Sequence, residues 1–190
     1  KASSDVALIK YWGKKDEALR LPENGSISIC LSNLLTTTTV EFSPDFEKDE
    51  ITIDDKDRII KHLDRIRKLA NINLRAKVVT KNNFPSGTGL SSSASGFAAL
   101  TLAASKAAGL DLPEKDLSIL ARQGSGSACR SIPSGFVEWL DGDTSEASYA
   151  TQIFPPDYWA IADVVAIVSE GKKEVATALG MQEAQSSPFM

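Results

Sequence analysis

Apolar residues recur along this chain at two spacings, and the switches between them predict its elements. Val6-Ala7-Leu8-Ile9 is a short apolar run that reads as a buried strand ending at Lys10-Tyr11-Trp12-Gly13-Lys14-Lys15. A lysine that directly follows a buried strand is expected to have its ammonium held in place. Leu21-Pro22-Glu23-Asn24-Gly25 is a turn. Ser26 to Leu31 then alternates polar and apolar residues as a half-buried strand does. Thr36 to Phe42 continues in β-branched residues, with Asn33-Leu34-Leu35 predicted as a hairpin link between the two. Ser43-Pro44-Asp45 closes that strand, and Ile51-Thr52-Ile53 is a further short one.

From Asp57 the period changes. Ile59, Ile60, Leu63, Ile66 and Leu69 lie at helical spacing, which predicts a helix to Ala70 with a basic, mostly solvated opposite face. Leu74 to Val79 alternates again and runs into the Gly/Ser-rich stretch from Asn82 to Phe97. Strong helix formers follow to Ala108, with Gly109 as the C-cap. Leu112-Pro113-Glu114 opens another helix, and Gly124 to Ser131 is a second small-residue loop that contains Arg130. Phe136–Leu140 and Ala147–Ile153 form a hairpin around Asp141-Gly142-Asp143. Trp159–Val168 reads as an apolar strand, a turn follows at Gly171, and a helix begins toward Met190.

With 190 residues, 42% of them hydrophobic, there is room for one large or two small domains. A net charge of -4 gives no electrostatic footprint for nucleic acid or an acidic membrane. Cys30 and Cys129 lie far apart without metal-ligand spacing, and His62 is the only histidine. A disulfide framework, a Cys/His zinc site and a histidine-based triad are therefore poor fits. Free thiols suit a reducing cytosol, so a cytoplasmic location is expected. No apolar run approaches membrane-spanning length and no signal peptide opens the chain. Lys1 is not an initiator methionine, so residues are expected before it.

What remains is chemistry for anions. A strand, a glycine loop and a helix N-terminus aim backbone N–H groups and the positive end of a dipole at one point, and the serines add hydroxyls. The wording is neither the Walker loop nor the dinucleotide fingerprint, and composition alone equally allows a loop that only caps a buried helix. Arg130 has the fork to clamp a carboxylate or phosphate, or else serves a structural salt bridge. With no histidine base or metal-ligand cluster, this inventory favours phosphate handling by positioning and electrostatics, with Mg²⁺ bridging the phosphates.

Pro85-x-x-x-Gly89-Leu90-x-Ser92-Ser93-Ala94 resembles the phosphate-binding motif of the GHMP small-molecule kinase superfamily. Ala7 to Lys14, Asn82 to Pro85 and Gly124-Ser125-Gly126-Ser127-Ala128-Cys129-Arg130-Ser131 are similar to its diphosphomevalonate decarboxylase branch, as are Trp139 and Val168 to Met181. The resemblance implies an α+β fold. Residues 1–157 would be a GHMP N-terminal domain of the ribosomal protein S5 domain 2-like type, and 158–190 the start of a truncated ferredoxin-like C-terminal domain. It implies an ATP- and Mg²⁺-dependent lyase of the mevalonate route to isoprenoids. The substrate's tertiary hydroxyl is phosphorylated, then phosphate and CO₂ leave, giving isopentenyl diphosphate.

By the same resemblance Asn82, Pro85, Gly87, Thr88, Gly89, Leu90, Ser91, Ser92 and Ser93 would hold the nucleotide, with Ser93 reaching Mg²⁺. Arg130 would grip the carboxylate that is expelled, and Lys10 would stand beside the reacting hydroxyl. Tyr11, Lys14, Arg58, Ser125 and Ser127 would bind the substrate's phosphate end. The catalytic aspartate is expected C-terminal to this chain, so these 190 residues alone are not expected to turn over. A homodimer is usual in the family. Two departures stand out: Arg20 and Asp5 each replace a common asparagine. The alternatives are a monophosphate substrate, to which Arg20 points, a kinase that does not decarboxylate, and a nucleotide-binding module without catalysis.

Overall fold

The computed structural model describes residues 1–166 and Gly180. Its sheet is built on one long strand, β4, which runs unbroken over the 18 residues Ser26–Ser43. The hairpin expected at Asn33–Leu35 is absent. None of those residues takes the positive φ that a tight hairpin requires, and the strand continues because its two halves have different partners. β1 (Ala2–Ile9) pairs antiparallel with β4 from Ile27 to Thr36, and β6 (Arg75–Asn82) pairs with Thr36 to Ser43. On the edge opposite β1, β7 (Phe136–Trp139) pairs with Ser26 to Ile29 and carries β8 (Ala150–Phe154). β5 (Glu50–Ile51) lies parallel to β6, while β2 (Lys14–Asp16) and β3 (Leu21–Pro22) form a separate ribbon.

The alternation in β4 has the expected period, but its hydroxyl face is the covered one. Ser26, Ser28, Thr36 and Thr38 are buried, and Ile27, Ile29 and Leu31 are half-buried. The hydroxyls have partners there: Thr36 Oγ1 lies 2.7 Å from both Asn82 Oδ1 and Ser95 Oγ. α2 (Ser92–Ala107) lies against β4 and β1, with Ala94, Ala98, Ala99 and Ala104 fully buried. Alanine lets a helix sit this close to a sheet and explains why α2 shows no polar stripe. α1 (Lys56–Ala70) and α3 (Glu114–Gly124) pack beside it. Ile59, Leu63 and Ile66 of α1 join Val78, Phe97, Leu100 and Leu120 in the main core.

The C-terminus of α2 follows the sequence reading closely. Gly109 has φ 77°, its N–H donates to Lys106 O at 3.1 Å, and Leu110 N donates to Ser105 O at 2.9 Å. That is the Schellman arrangement a C′ glycine permits. Gly124–Ser131 is not a loop: Gly124 closes α3 and Gly126–Ser131 forms a 3₁₀ turn. Residues 159–166, expected to begin a strand, carry no regular structure, and Trp159 and Val164 stand exposed. No described sheet edge pairs with them. Ile167 and Val168, the turn at Gly171 and the C-terminal helix of the sequence reading lie outside the described residues.

Candidate active site

Between β6 and α2 the backbone alternates its hand. Gly87, Gly89 and Ser91 have φ of 76°, 92° and 53°, while Thr88 and Leu90 stay negative. Such alternation turns successive N–H groups toward one point and makes an anion-binding nest. Ser91 precedes α2 without a side-chain cap. While the Ala94 and Ser95 N–H groups donate to Ser91 O, those of Ser92 and Ser93 and the helix's positive end stay available to the same anion. A Cβ on Gly89 would meet nothing within 4 Å, so the backbone angle rather than crowding calls for glycine there.

Two clefts meet at this helix N-terminus. The first, ≈ 810 Å³, has Asn82, Phe84, Thr52 and Val78 among its walls. The second, ≈ 840 Å³, is lined by Lys10, Tyr11, Lys14, Arg20, Ser125, Ser127 and Arg130, among others. Gly87, Ser92, Ser93 and Arg58 line both. The first two serines of α2 therefore border both spaces. Asn82 is fixed at the first cleft by Thr36 and by donating to Ser86 Oγ at 2.9 Å. Gly89, Leu90 and Ser91 line the second cleft only, and Leu90 O accepts from Ser4 Oγ at 2.6 Å. Pro85 and Thr88 line neither cleft; they are exposed, and the Thr88 hydroxyl donates to Pro85 O at 3.2 Å.

The second cleft is strongly cationic. Arg130 donates from Nε to Asp5 Oδ2 and from Nη1 to Ser26 Oγ, both at 2.8 Å, with Asp5 and Arg130 almost wholly buried. The structural salt bridge that the sequence allowed is present, to Asp5, and Arg130 also lines the cleft. Among the described residues Asp5 Oδ1 has no hydrogen-bond partner. Burial pushes the Asp5 carboxyl upward, against the pull of the Arg130 charge. Lys14 is buried, with its ammonium 2.8 Å from both oxygens of Glu17. Arg58 donates to Asp55 at 2.6 Å and to Gly124 O at 3.2 Å, with its guanidinium 4.7 Å from the Phe97 ring centroid. Burial raises the Tyr11 phenol to about 12, so it stays a hydrogen-bond donor. A Cβ on Gly126 would lie 2.9 Å from that hydroxyl.

Lys10 corrects an expectation. Leu8 and Ile9 before it are exposed, and its side chain is exposed with no hydrogen bond among the described residues. It is its backbone that is held. The Asn24 amide donates to Lys10 O at 2.9 Å and its Oδ1 accepts from Trp12 N at 3.3 Å. In the sequence pattern Asn24 is only a turn residue and Ser26 only a strand residue. Nothing in the residue pattern announces either as a prop for the site. His62 lines neither cleft and lies in the core.

A family model described as the diphosphomevalonate decarboxylase-like N-terminal domain matches residues 2–150. The chain belongs to this family. Within it, the diphosphomevalonate decarboxylase of Candida albicans is 40% identical over 95% of this chain and 56% of its own length. The solved mevalonate diphosphate decarboxylase from Trypanosoma brucei aligns with a TM-score of 0.82 at 34% identity, covering 100% of this chain and 54% of that one. The MDDEF complex with MVAPP, AMPPCP and magnesium aligns at 0.80 and 37% identity, covering 95% and 57% of the two chains. The chain spans about half the length of the curated relatives it matches. As in the structures of this decarboxylase-like family, the described domain is a mixed α/β unit with a sheet.

Proposed function

We propose that the protein containing this chain catalyses ATP-dependent decarboxylation of mevalonate 5-diphosphate to isopentenyl diphosphate, as a cytoplasmic enzyme and a homodimer. In this reading residues 1–157 are its nucleotide- and substrate-binding domain and 158–190 begin a second. The observation that carries it is the pair of clefts sharing Ser92, Ser93, Gly87 and Arg58, with Arg130 anchored in the second. The nest and the first turn of α2 hold the nucleotide phosphates, and Asn82 stands at the nucleotide cleft. The Ser93 hydroxyl is the residue for Mg²⁺. Among the described residues no group of three His, Cys, Asp or Glu side chains could hold a metal alone. That suits an ion carried mainly by phosphate oxygens. When bound, Mg²⁺ neutralises charge on the transferred phosphoryl group.

In the second cleft Tyr11, Lys14, Arg58, Ser125 and Ser127 bind the substrate's phosphate end, and Arg130 orients its carboxylate. Lys10 extends into the space beside the tertiary hydroxyl. That hydroxyl gives its proton to the aspartate expected C-terminal to this chain, and its oxygen attacks the γ-phosphorus while the bond to the β-phosphate oxygen breaks and ADP leaves. The new phosphate then departs with the C3–O electrons. The bond to the carboxyl carbon supplies the electrons of the double bond, and CO₂ leaves. Fixed cations around that charge do most of the work expected of this chain. Incubating the full-length protein with ATP, Mg²⁺ and mevalonate 5-diphosphate is expected to release one CO₂ per ADP. ADP without CO₂ would instead identify a small-molecule kinase, and nucleotide binding without ADP a non-catalytic module.

A further inference from the structure

We propose that Arg20 joins Arg58 in a two-guanidinium clamp for the substrate's terminal phosphate, making Arg20 a specificity-determining residue of the second cleft. The proposal rests on the function above, which places a phosphorylated substrate there. Arg20 lies in the turn between β2 and β3, and Arg58 in the first turn of α1, yet both converge on the end of α3. Arg20 Nε donates to Gln123 O and Arg58 Nη2 to Gly124 O, each at 3.2 Å. These successive carbonyls belong to the last turn of α3, where the helix leaves acceptors unpaired and carries partial negative charge. That charge holds two like cations side by side. Both residues line the second cleft.

Three further facts separate Arg20 from an ordinary helix cap. It is anchored through Nε, which leaves its terminal nitrogens for a ligand. Its backbone has φ 53°, a conformation a non-glycine residue keeps only where its surroundings hold it. Among the described residues it makes no salt bridge, whereas Lys14 is paired with Glu17 and Arg58 with Asp55. It is therefore the arginine of this corner without an ion pair among the described residues, although the Glu17 charge lies near enough to act on it. Burial, then the Arg58 charge, pushes its pKa down, as expected where positive charge is crowded until an anion arrives. Guanidinium forks match phosphate oxygens two at a time. A phosphate held here and a carboxylate held at Arg130 would orient one molecule in the cleft.

The test uses the full-length protein as wild type, Arg20→Asn and Arg20→Lys. Calorimetry reads the affinity for inorganic pyrophosphate, and kinetics read KM and kcat for mevalonate 5-phosphate and 5-diphosphate. Arg20→Asn is expected to weaken pyrophosphate binding and raise KM by about tenfold, the scale of one charged hydrogen-bonded contact, with kcat changing less. Arg20→Lys, which keeps the charge, is expected to recover part of both. A KM effect larger for the diphosphate places the clamp on its outer phosphate, and one larger for the monophosphate places it on the 5-phosphate. Unchanged pyrophosphate affinity and KM in a folded Arg20→Asn protein would overturn the clamp, even if CO₂ release were normal. Pyrophosphate binding that depends on Arg20, with no CO₂ from either substrate, would keep the anion clamp and defeat the decarboxylase reading instead.

Discussion

His62 is fully buried, with Nε2 2.8 Å from the Thr101 hydroxyl and its ring edge-on to Phe97. Burial, then the Arg65 charge, pushes its pKa down to about 3, so it is neutral in the fold and not a base for the site. A histidine depressed below its unfolded value of ~6.5 binds a proton more tightly when unfolded. Its contribution is therefore complete above that value and is lost as pH falls toward 3. Denaturant melts at pH 7 and pH 5 are expected to differ by about 2 kcal/mol through this residue alone. His62→Gln is expected to flatten that part of the slope, and an unchanged slope would remove His62 as its source. At this scale the residue pattern was informative about types and poor about partners. Arg130 was picked out as an anion clamp, but its ties to Asp5 and Ser26 join residues more than a hundred positions apart, which no spacing rule reports.

The elements that hold the site were legible where local physics dominates. The helix period placed α1, Pro113-Glu114 marked the start of α3, glycine at C′ ended α2, and the Gly/Ser composition marked the loop before α2. They were illegible where partners decide. β4 is one strand because β1 and β6 take successive halves of it, and its buried face is polar because hydroxyls and Arg130 lie over it. Gly124–Ser131 shows the same limit, since small residues read as a loop but pack tightly as the end of α3 and a 3₁₀ turn. A Cβ on Gly124 would sit 2.4 Å from Phe97 Cδ1 and 3.0 Å from His62 Nδ1. Phe97 in turn carries the Arg58 guanidinium. Gly124→Ala is expected to cost about 1–3 kcal/mol by overpacking and to weaken phosphate binding through Arg58. Thermal melts and pyrophosphate titration check both, and a neutral substitution would mean that this junction is loosely packed.

Across the whole molecule, the fold brings two clefts to one helix N-terminus and sets Arg130, anchored by Asp5 and Ser26, at the wall of the second. The first feature suits transfer of a phosphoryl group between two bound molecules. In the proposed function the second gives the reaction its decarboxylating outcome, because the carboxylate has to be oriented before the carbon–carbon bond breaks. Arg130 carries that claim. The most direct measurement is kcat/KM for CO₂ release by full-length Arg130→Ala, alongside a melt showing that the variant, which leaves the buried Asp5 unpaired, is still folded. The expected result is a loss of orders of magnitude in a folded protein. Turnover near that of the wild type would contradict the account.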